Sequence, residues 1–344
     1  MSIRIGTRVP RREFLAGLGA LGAAALIPNA DATPQSSAGS KLFRVDTHHH
    51  FTVPGLRAEV AKAGQQTLLD WSPQTSLDEM DQGGVATSIL SVGDPGLWFG
   101  DDNAARKLAR DCNDYSAKLI KDYPGRFGMF AALPLPDVDG SLRELEYAFD
   151  TLHADGVCVL SSYQGRYLGN ELFAPLMDEL NRRKAIVYCH PLCAACANQP
   201  ALKDGQNRGV EFVIDTTRAI LSVLASGTVT RCPDICFIWS HGGGTVPFIT
   251  TRLAGAAPKL PKGLIYELQK FYYDTAQAFS PYTLPSFKAM VPVSHMLFGT
   301  DFPLGNGSAV AVAKGLMENG GFTPGELRAI DRDNAVALIP RLKA

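Results

Sequence analysis

Short apolar runs alternate with longer amphipathic stretches along most of this 344-residue chain. The runs read LFRVDTH (42–48), VATSILSV (85–92), RFGMFAALP (126–134), GVCVLSS (156–162), AIVYCHP (185–191), ICFIWSH (235–241), FYYDTA (271–276) and HMLFGTD (295–301). Most are continuously apolar, the pattern of parallel strands covered on both faces. Between them, SLDEMDQGG predicts a helix capped by Ser76 and stopped at Gly83 and Gly84. NAARKLARDCNDYSAKLIKDYPG places Leu108, Cys112, Tyr115 and Leu119 at helical spacing and ends at Pro124-Gly125. SLRELEYAFDTLHADG opens on Ser141 with Glu144 three residues on, a capping box. APLMDELNRRK, the stretch around DTTRAILSVLASG, VPFITTRLAG and SPYTLPSFKAM fill the other gaps. Strands alternating with helices in this way predict a (β/α)8 TIM barrel over residues 42–344, closed by two short helices in TPGELRAIDRDNAVALIPRL. An open doubly wound sheet would want a glycine-rich phosphate turn after its first strand, and here that strand ends in histidines.

The N-terminus reads differently. Arg11 and Arg12 precede Phe14 and Leu15, an Ala/Gly-rich run follows, and Ala30-Asp31-Ala32 offers a small-residue cleavage site. Residues 1–32 are expected to be a twin-arginine export signal, followed by a linker over 33–41. The run is too short and too glycine-rich to span a bilayer well. The expectation is a periplasmic protein, exported folded, with no membrane attachment after cleavage. Net charge is −1 and there is no basic block, so a nucleic-acid surface has no electrostatic support. Among seven cysteines, Cys193 and Cys196 form a lone C-x-x-C without the second pair a zinc site would want. They read as loop residues or a disulfide, and Cys158, Cys189 and Cys236 as core.

In a barrel of this kind the chemistry sits at the C-terminal ends of the strands. His48 and His50 end the first strand, His190 the fifth, His241 the sixth and Asp301 the eighth. His153 falls at a helix end and His295 before its strand. The triplet in VDTHHHF then divides. Alternate strand residues face the same way, so His48 and His50 can share one ion while His49 points elsewhere. Three neutral imidazoles with a carboxylate suit zinc, and also manganese or iron, with a water completing the set.

VDTHHHF, VYCHP, WSHGGGTVPFITTR and LFGTDFP together resemble the metal-dependent decarboxylase branch of the amidohydrolase superfamily, and the likeness runs from Val45 to Arg341. It implies one divalent metal, usually zinc, on His48, His50, His190 and Asp301, and no organic cofactor. It gives His241 the place of the acid–base histidine, with Asp301 as its partner in catalysis. It matches Arg252 to an arginine that in some members crosses a dimer interface to the substrate carboxylate, an interaction a guanidinium fork suits. A homodimer acting on a small carboxylic acid is thereby implied. No lysine matches the metal-bridging lysine of binuclear members, since the fourth strand reads VCVLSS. The expected reaction is non-oxidative decarboxylation of an aromatic or unsaturated acid. The same residues would also serve hydrolysis of a lactone, amide or ester, and a solute-binding protein would not need His241. Trp98 and Phe99, in GDPGLWFG, are candidates for an aromatic pocket wall or ordinary loop anchors.

If His48 and His50 face one ion, His50→Ala should strip bound metal and His49→Ala should spare it. Elemental analysis of the two purified variants decides this, and equal loss would sink the alternation.

Overall fold

The computed structural model describes residues 43–192, 207–254, 260–305 and 308–343. The segments expected to be an export signal (1–32) and a linker (33–41), and the Cys193/Cys196 pair, lie outside the described residues. Eight parallel strands follow one another around a single sheet: β1 (Arg44–His50), β2 (Val85–Ser91), β3 (Phe127–Ala132), β4 (Gly156–Leu160), β5 (Ile186–His190), β6 (Cys236–Trp239), β7 (Tyr272–Asp274) and β8 (Met296–Leu297). The chain beyond β8 returns to β1. Thr47 N–H donates to the Phe298 carbonyl at 2.9 Å, Asp301 N–H to that of His48 at 2.9 Å, and His50 N–H to that of Phe302 at 2.7 Å. These bonds close the barrel. All eight apolar runs form strands, and a small hairpin, Ser162–Tyr163 with Arg166–Tyr167, adds a feature that the periodicity did not announce.

The helices α1 (Pro73–Gly83), α2 (Asp102–Asp122), α3 (Val138–Asp150), α4 (Ala174–Arg182), α5 (Asn207–Ala225), α6 (Val246–Ala254), α7 (Leu284–Met290) and α8 (Ala309–Asn319) accompany the strands. Two starts differ from the expected ones. α1 is capped by Ser72 in a box with Thr75, while Ser76 lies within the helix and is buried. The Ser72-Pro73 pair explains this, because proline is preorganised for the first helical position and the residue before it is held extended. α3 is capped by Asp137, which accepts from the Gly140 N–H at 3.0 Å. Glu144 serves as a buried acceptor for Arg110 and Asn113 rather than as part of a cap. Among the described residues no helix is long and apolar enough to cross a membrane.

The barrel interior is filled by Val45, Ile89, Phe130, Cys158, Ile186, Tyr188, Ile238 and Leu297, and Ala335 and Ile339 of the C-terminal segment plug it. Cys189 is buried as expected, whereas Cys236 is only half-buried. On β5 the inward phase of Ile186 and Tyr188 carries on to His190. β1 needs a correction of phase. Val45 points inward, and strict alternation would bring Thr47 and His49 after it. Against β2 the register shifts between Asp46 (opposite Ser88) and His49 (opposite Leu90), so three residues span two. This bulge moves the inward phase to His48 and His50.

Asp46 pins the bulge to the closure. Its carboxylate accepts from His48 N–H at 3.1 Å, Thr300 N–H at 3.0 Å and Thr300 Oγ at 2.7 Å, and it meets His49 Nδ1 at 3.0 Å. Asp46→Ala would leave these buried donors unpaired and should lower unfolding stability by about 3 kcal/mol, measured by urea denaturation. A loss below about 0.5 kcal/mol, the range of ordinary surface changes, would show that the closure does not depend on this carboxylate.

Candidate metal centre

His48, His50, His190, His241 and Asp301 are all buried and converge at the C-terminal end of the barrel. Each of the first three rings is held by its Nδ1. His48 Nδ1 meets Asp274 Oδ2 at 2.9 Å, His50 Nδ1 the Ser91 carbonyl at 3.2 Å, and His190 Nδ1 the Pro191 carbonyl at 2.8 Å. A carbonyl or carboxylate oxygen only accepts, so Nδ1 carries a hydrogen in each ring and Nε2 is turned to the centre. His48 Nε2 and His50 Nε2 stand 3.0 Å apart. Asp301 Oδ1 lies 3.0 Å from the first and 3.2 Å from the second. Despite this closeness, Asp301 Oδ1 is not aligned as a hydrogen-bond acceptor, and His190 Nε2 has no partner among the described residues.

Donors bonded to one small divalent ion at about 2.1 Å sit about 3 Å from one another. The observed spacings fit such an ion, and the donor atoms of His48, His190, His241 and Asp301 lie within 4.8 Å of one another. Two glycines make room. A Cβ on Gly93 would come within 2.8 Å of His50 Cε1, and one on Gly299 within 2.9 Å of both His48 Cβ and Asp274 Cβ.

His241 reaches the centre by a different route. Strand phase would send Ser240 inward after Ile238, but His241 has φ of 53° and begins a left-handed turn through three glycines. Its N–H donates to Asp274 Oδ1 at 2.9 Å, and its Nε2 lies 3.2 Å from Asp301 Oδ2. Gln277 Nε2 donates to the same oxygen at 2.7 Å. Asp301 itself has φ of 66°.

The electrostatics are those of a centre that must hold positive charge. Burial alone would keep His48 neutral, but the Asp274 and Asp301 carboxylates outweigh it and push its pKa up to about 10. Burial, joined by the charge on His48, lowers His50. Burial and the neighbouring histidines hold His190 well below its ordinary value. Burial opposes ionisation of Asp301, yet the His48 charge and the hydrogen bond from His241 prevail and hold it well below the usual carboxylate range. A single proton on His48 therefore occupies the charge role that a cation would take.

Beside the centre lies a cavity of about 440 Å³ whose walls include Gln65, Arg208, Phe212, His241, Gln277 and Asp301. Its aromatic wall is Phe212, stacked on His241 at 18° with ring centres 6.4 Å apart. Trp98 and Phe99 do not line it. The Trp98 indole donates to Asp102 Oδ1 at 2.8 Å at the start of α2, and Phe99 is 42% exposed. Arg252 does not line it either. It is exposed on α6 and has no hydrogen-bond or ion-pair partner among the described residues. His49 turns away from the centre, between Asp46 and Ser76, with Nε2 2.8 Å from Ser76 Oγ. Sequence reading passed over Asp274, although FYYDTA ends its strand on that residue at the same rim. It also passed over Gln65, Arg208, Phe212 and Gln277, which arrive from loops and helices.

A family profile described as Amidohydrolase matches residues 45–341. The chain belongs to the amidohydrolase family. It is 35% identical to a decarboxylase of Aspergillus niger (yanB) over 87% of this chain and 88% of that relative. It is 33% identical to the 6-methylsalicylic acid decarboxylase of Penicillium expansum, over 87% of this chain and 97% of that one. The solved 2,6-dihydroxybenzoate decarboxylase from Rhizobium superposes with a TM-score of 0.77 at 25% identity, over 88% of this chain and 99% of that one. Of the two reactions that the residues allow, these relatives decide for the carboxy-lyase over the hydrolase. This amidohydrolase is an enzyme of the metal-dependent decarboxylase branch.

A cation bound at His48 Nε2 would have to displace the proton on that ring. Apparent metal affinity should therefore strengthen by about tenfold per pH unit below about pH 10, while His48 is protonated in the ion-free protein. Chelator competition across this range reads the slope, and a flat profile would contradict the charge assignment.

Proposed function

We propose that this carboxy-lyase removes carbon dioxide from an aromatic acid of the hydroxybenzoate class. One divalent ion, zinc, would be held by Nε2 of His48, His50 and His190 and by Asp301 Oδ1. The observation that carries the assignment is two imidazole Nε2 atoms and a carboxylate oxygen 3.0–3.2 Å apart, with a His190 Nε2 beside them that has no partner among the described residues. Borderline-soft nitrogen donors with a single carboxylate favour zinc, and manganese and iron suit the same set. The ion, when bound, supplies a fixed positive charge against which the substrate's carboxylate and adjacent hydroxyl are held.

The proton belongs to the His241–Asp301 pair, whose Nε2 and Oδ2 lie 3.2 Å apart. Asp301 Oδ2, steadied by Gln277, keeps the imidazole oriented. His241 delivers the proton to the ring carbon that bears the carboxylate, forming a C–H bond at the expense of aromaticity. The bond to the carboxylate then breaks, its electron pair restores the ring, and carbon dioxide leaves. The pair regains its proton from solvent. No organic cofactor enters. Phe212, packed against His241, offers an apolar wall to the ring and keeps water from the carbon being protonated.

We also propose that the protein acts as a homodimer. Phe248, 83% exposed, and Arg252, which has no hydrogen-bond or ion-pair partner among the described residues, are both exposed on α6. In a dimer Arg252 would reach the partner subunit's substrate carboxylate. Light scattering should give twice the chain mass, and a monomer would remove this arrangement.

His241→Ala should lower carbon dioxide release from hydroxybenzoates by at least about a hundredfold with metal content retained. Asp301→Ala should lose both. Gas release and elemental analysis on the same samples separate the roles, and metal loss in His241→Ala would move that residue into the ligand set.

A further inference from the structure

Behind His190 lies a buried carboxylate that the decarboxylation chemistry does not use. Asp215, on α5, is 4% exposed, and both of its oxygens accept from hydroxyls. Oδ1 takes the Tyr167 O–H at 2.7 Å, and Oδ2 takes the Ser161 O–H. Ser161 directly follows β4 and is fully buried. Its N–H donates to the His190 carbonyl at 2.9 Å, and its Oγ accepts from the Leu192 N–H at 2.9 Å. A carboxylate only accepts and a backbone N–H only donates, so the Ser161 hydroxyl hydrogen points to Asp215 and an oxygen lone pair to Leu192. The Leu192 N–H belongs to the same peptide group as the Pro191 carbonyl, and that carbonyl is the acceptor for His190 Nδ1 at 2.8 Å. An unbroken chain of hydrogen bonds therefore runs from Asp215 through Ser161 and the Pro191–Leu192 peptide to the ring of His190.

We infer that Asp215 and Ser161 are positioning residues of the metal centre, which hold His190 as its Nδ1–H tautomer with Nε2 free for the ion. The inference rests on the metal reading of the centre and extends it to residues that do not touch the ion. His48 has a carboxylate directly on its Nδ1, whereas His190 has a carbonyl there. A carboxylate on the ring N–H of a ligating histidine fixes its tautomer and raises its basicity toward the metal. The chain from Asp215 brings that effect to His190 at a distance, because each hydrogen bond in a series polarises the next. Asp215 turns the Ser161 O–H toward itself, the Ser161 oxygen draws on the Leu192 N–H, and the Pro191 carbonyl becomes the stronger acceptor. The small hairpin has a part in this as well. It carries Tyr167 to Asp215 Oδ1, which leaves Oδ2 committed to Ser161.

The test measures zinc affinity by chelator competition for the unaltered protein, Ser161→Ala, Asp215→Asn and the double variant. Asp215→Asn keeps the side chain's shape and removes its charge. Each single change should weaken zinc binding by about tenfold. Because the two residues act in series, the double variant should bind no more weakly than Ser161→Ala alone, whereas independent packing effects would add. Nitrogen NMR of the imidazoles in the metal-free protein needs neither metal nor turnover. His190 should be a neutral Nδ1–H tautomer in the unaltered protein, and the Nε2–H form should gain population in both single variants. Thermal melting identifies a variant that fails to fold, and the spectrum of the unaltered protein needs no variant at all. An Nε2–H tautomer at His190 in that spectrum overturns the inference. Unweakened zinc binding by folded Ser161→Ala, or losses that add in the double variant, overturns it too. Absence of zinc uptake by the unaltered protein overturns the metal reading instead, and the tautomer shifts in the variants then judge the Asp215–Ser161 chain alone.

Discussion

Two imidazole nitrogens 3.0 Å apart, on residues two positions apart in one strand, set the terms for the rest of the structure. Both rings have their Nδ1 committed to an acceptor, so both Nε2 atoms aim at the same point. Two lone pairs and a carboxylate oxygen cannot be packed this closely in a dry interior without positive charge among them. The protein arranges everything nearby around that need. A bulge in β1 turns His48 and His50 inward, and Gly93 and Gly299 leave the volume that the rings require. The pKa of His48, lifted to about 10, is the electrostatic trace of the same demand.

Three buried carboxylates divide the work by oxygen atom. Asp46 joins β1 to β8 and holds His49 aside. Asp274 presents Oδ2 to His48 Nδ1 and the Tyr188 hydroxyl, and Oδ1 to the N–H groups of His241 and Ala276. Asp301 presents Oδ1 to the histidine pair of β1 and Oδ2 to His241 and Gln277. The proposed ligand positions and His241, the proposed acid–base residue, therefore share supports, and a displacement of Asp274 or Asp301 would disturb both. Each buried charge is offset by donors on several sides, the condition under which burial of a carboxylate can be tolerated.

The cavity has unlike ends in chemical terms. One contribution is the histidine–aspartate centre, another the flat face of Phe212, and a third the amide and guanidinium tied to Asp94. A planar acid with polar substituents suits such a lining better than an aliphatic one. The aromatic contribution comes from α5, not from the Trp98–Phe99 loop. The reason is local: the indole N–H finds its acceptor at the first residue of α2 and anchors that loop there.

The sequence by itself determined the barrel, since eight apolar runs separated by helical patterns leave few other ways to bury parallel strands. It also determined the rim positions of His48, His50, His190, His241 and Asp301, because strand ends are visible in one dimension. Tertiary structure decided the rest. The bulge that sets the phase of β1 depends on register with β2, and the left-handed turns at His241 and Asp301 depend on the loops they begin. The caps at Ser72 and Asp137 lay outside the segments that the periodic pattern marked. Asp274 was present at its strand end, but only its distance to His48 Nδ1 separates it from any buried aspartate. Gln65, Arg208 and Phe212 carry no local signal at all. They share one cavity and, for Gln65 and Arg208, one acceptor, which long-range packing brings together and spacing along the chain does not encode.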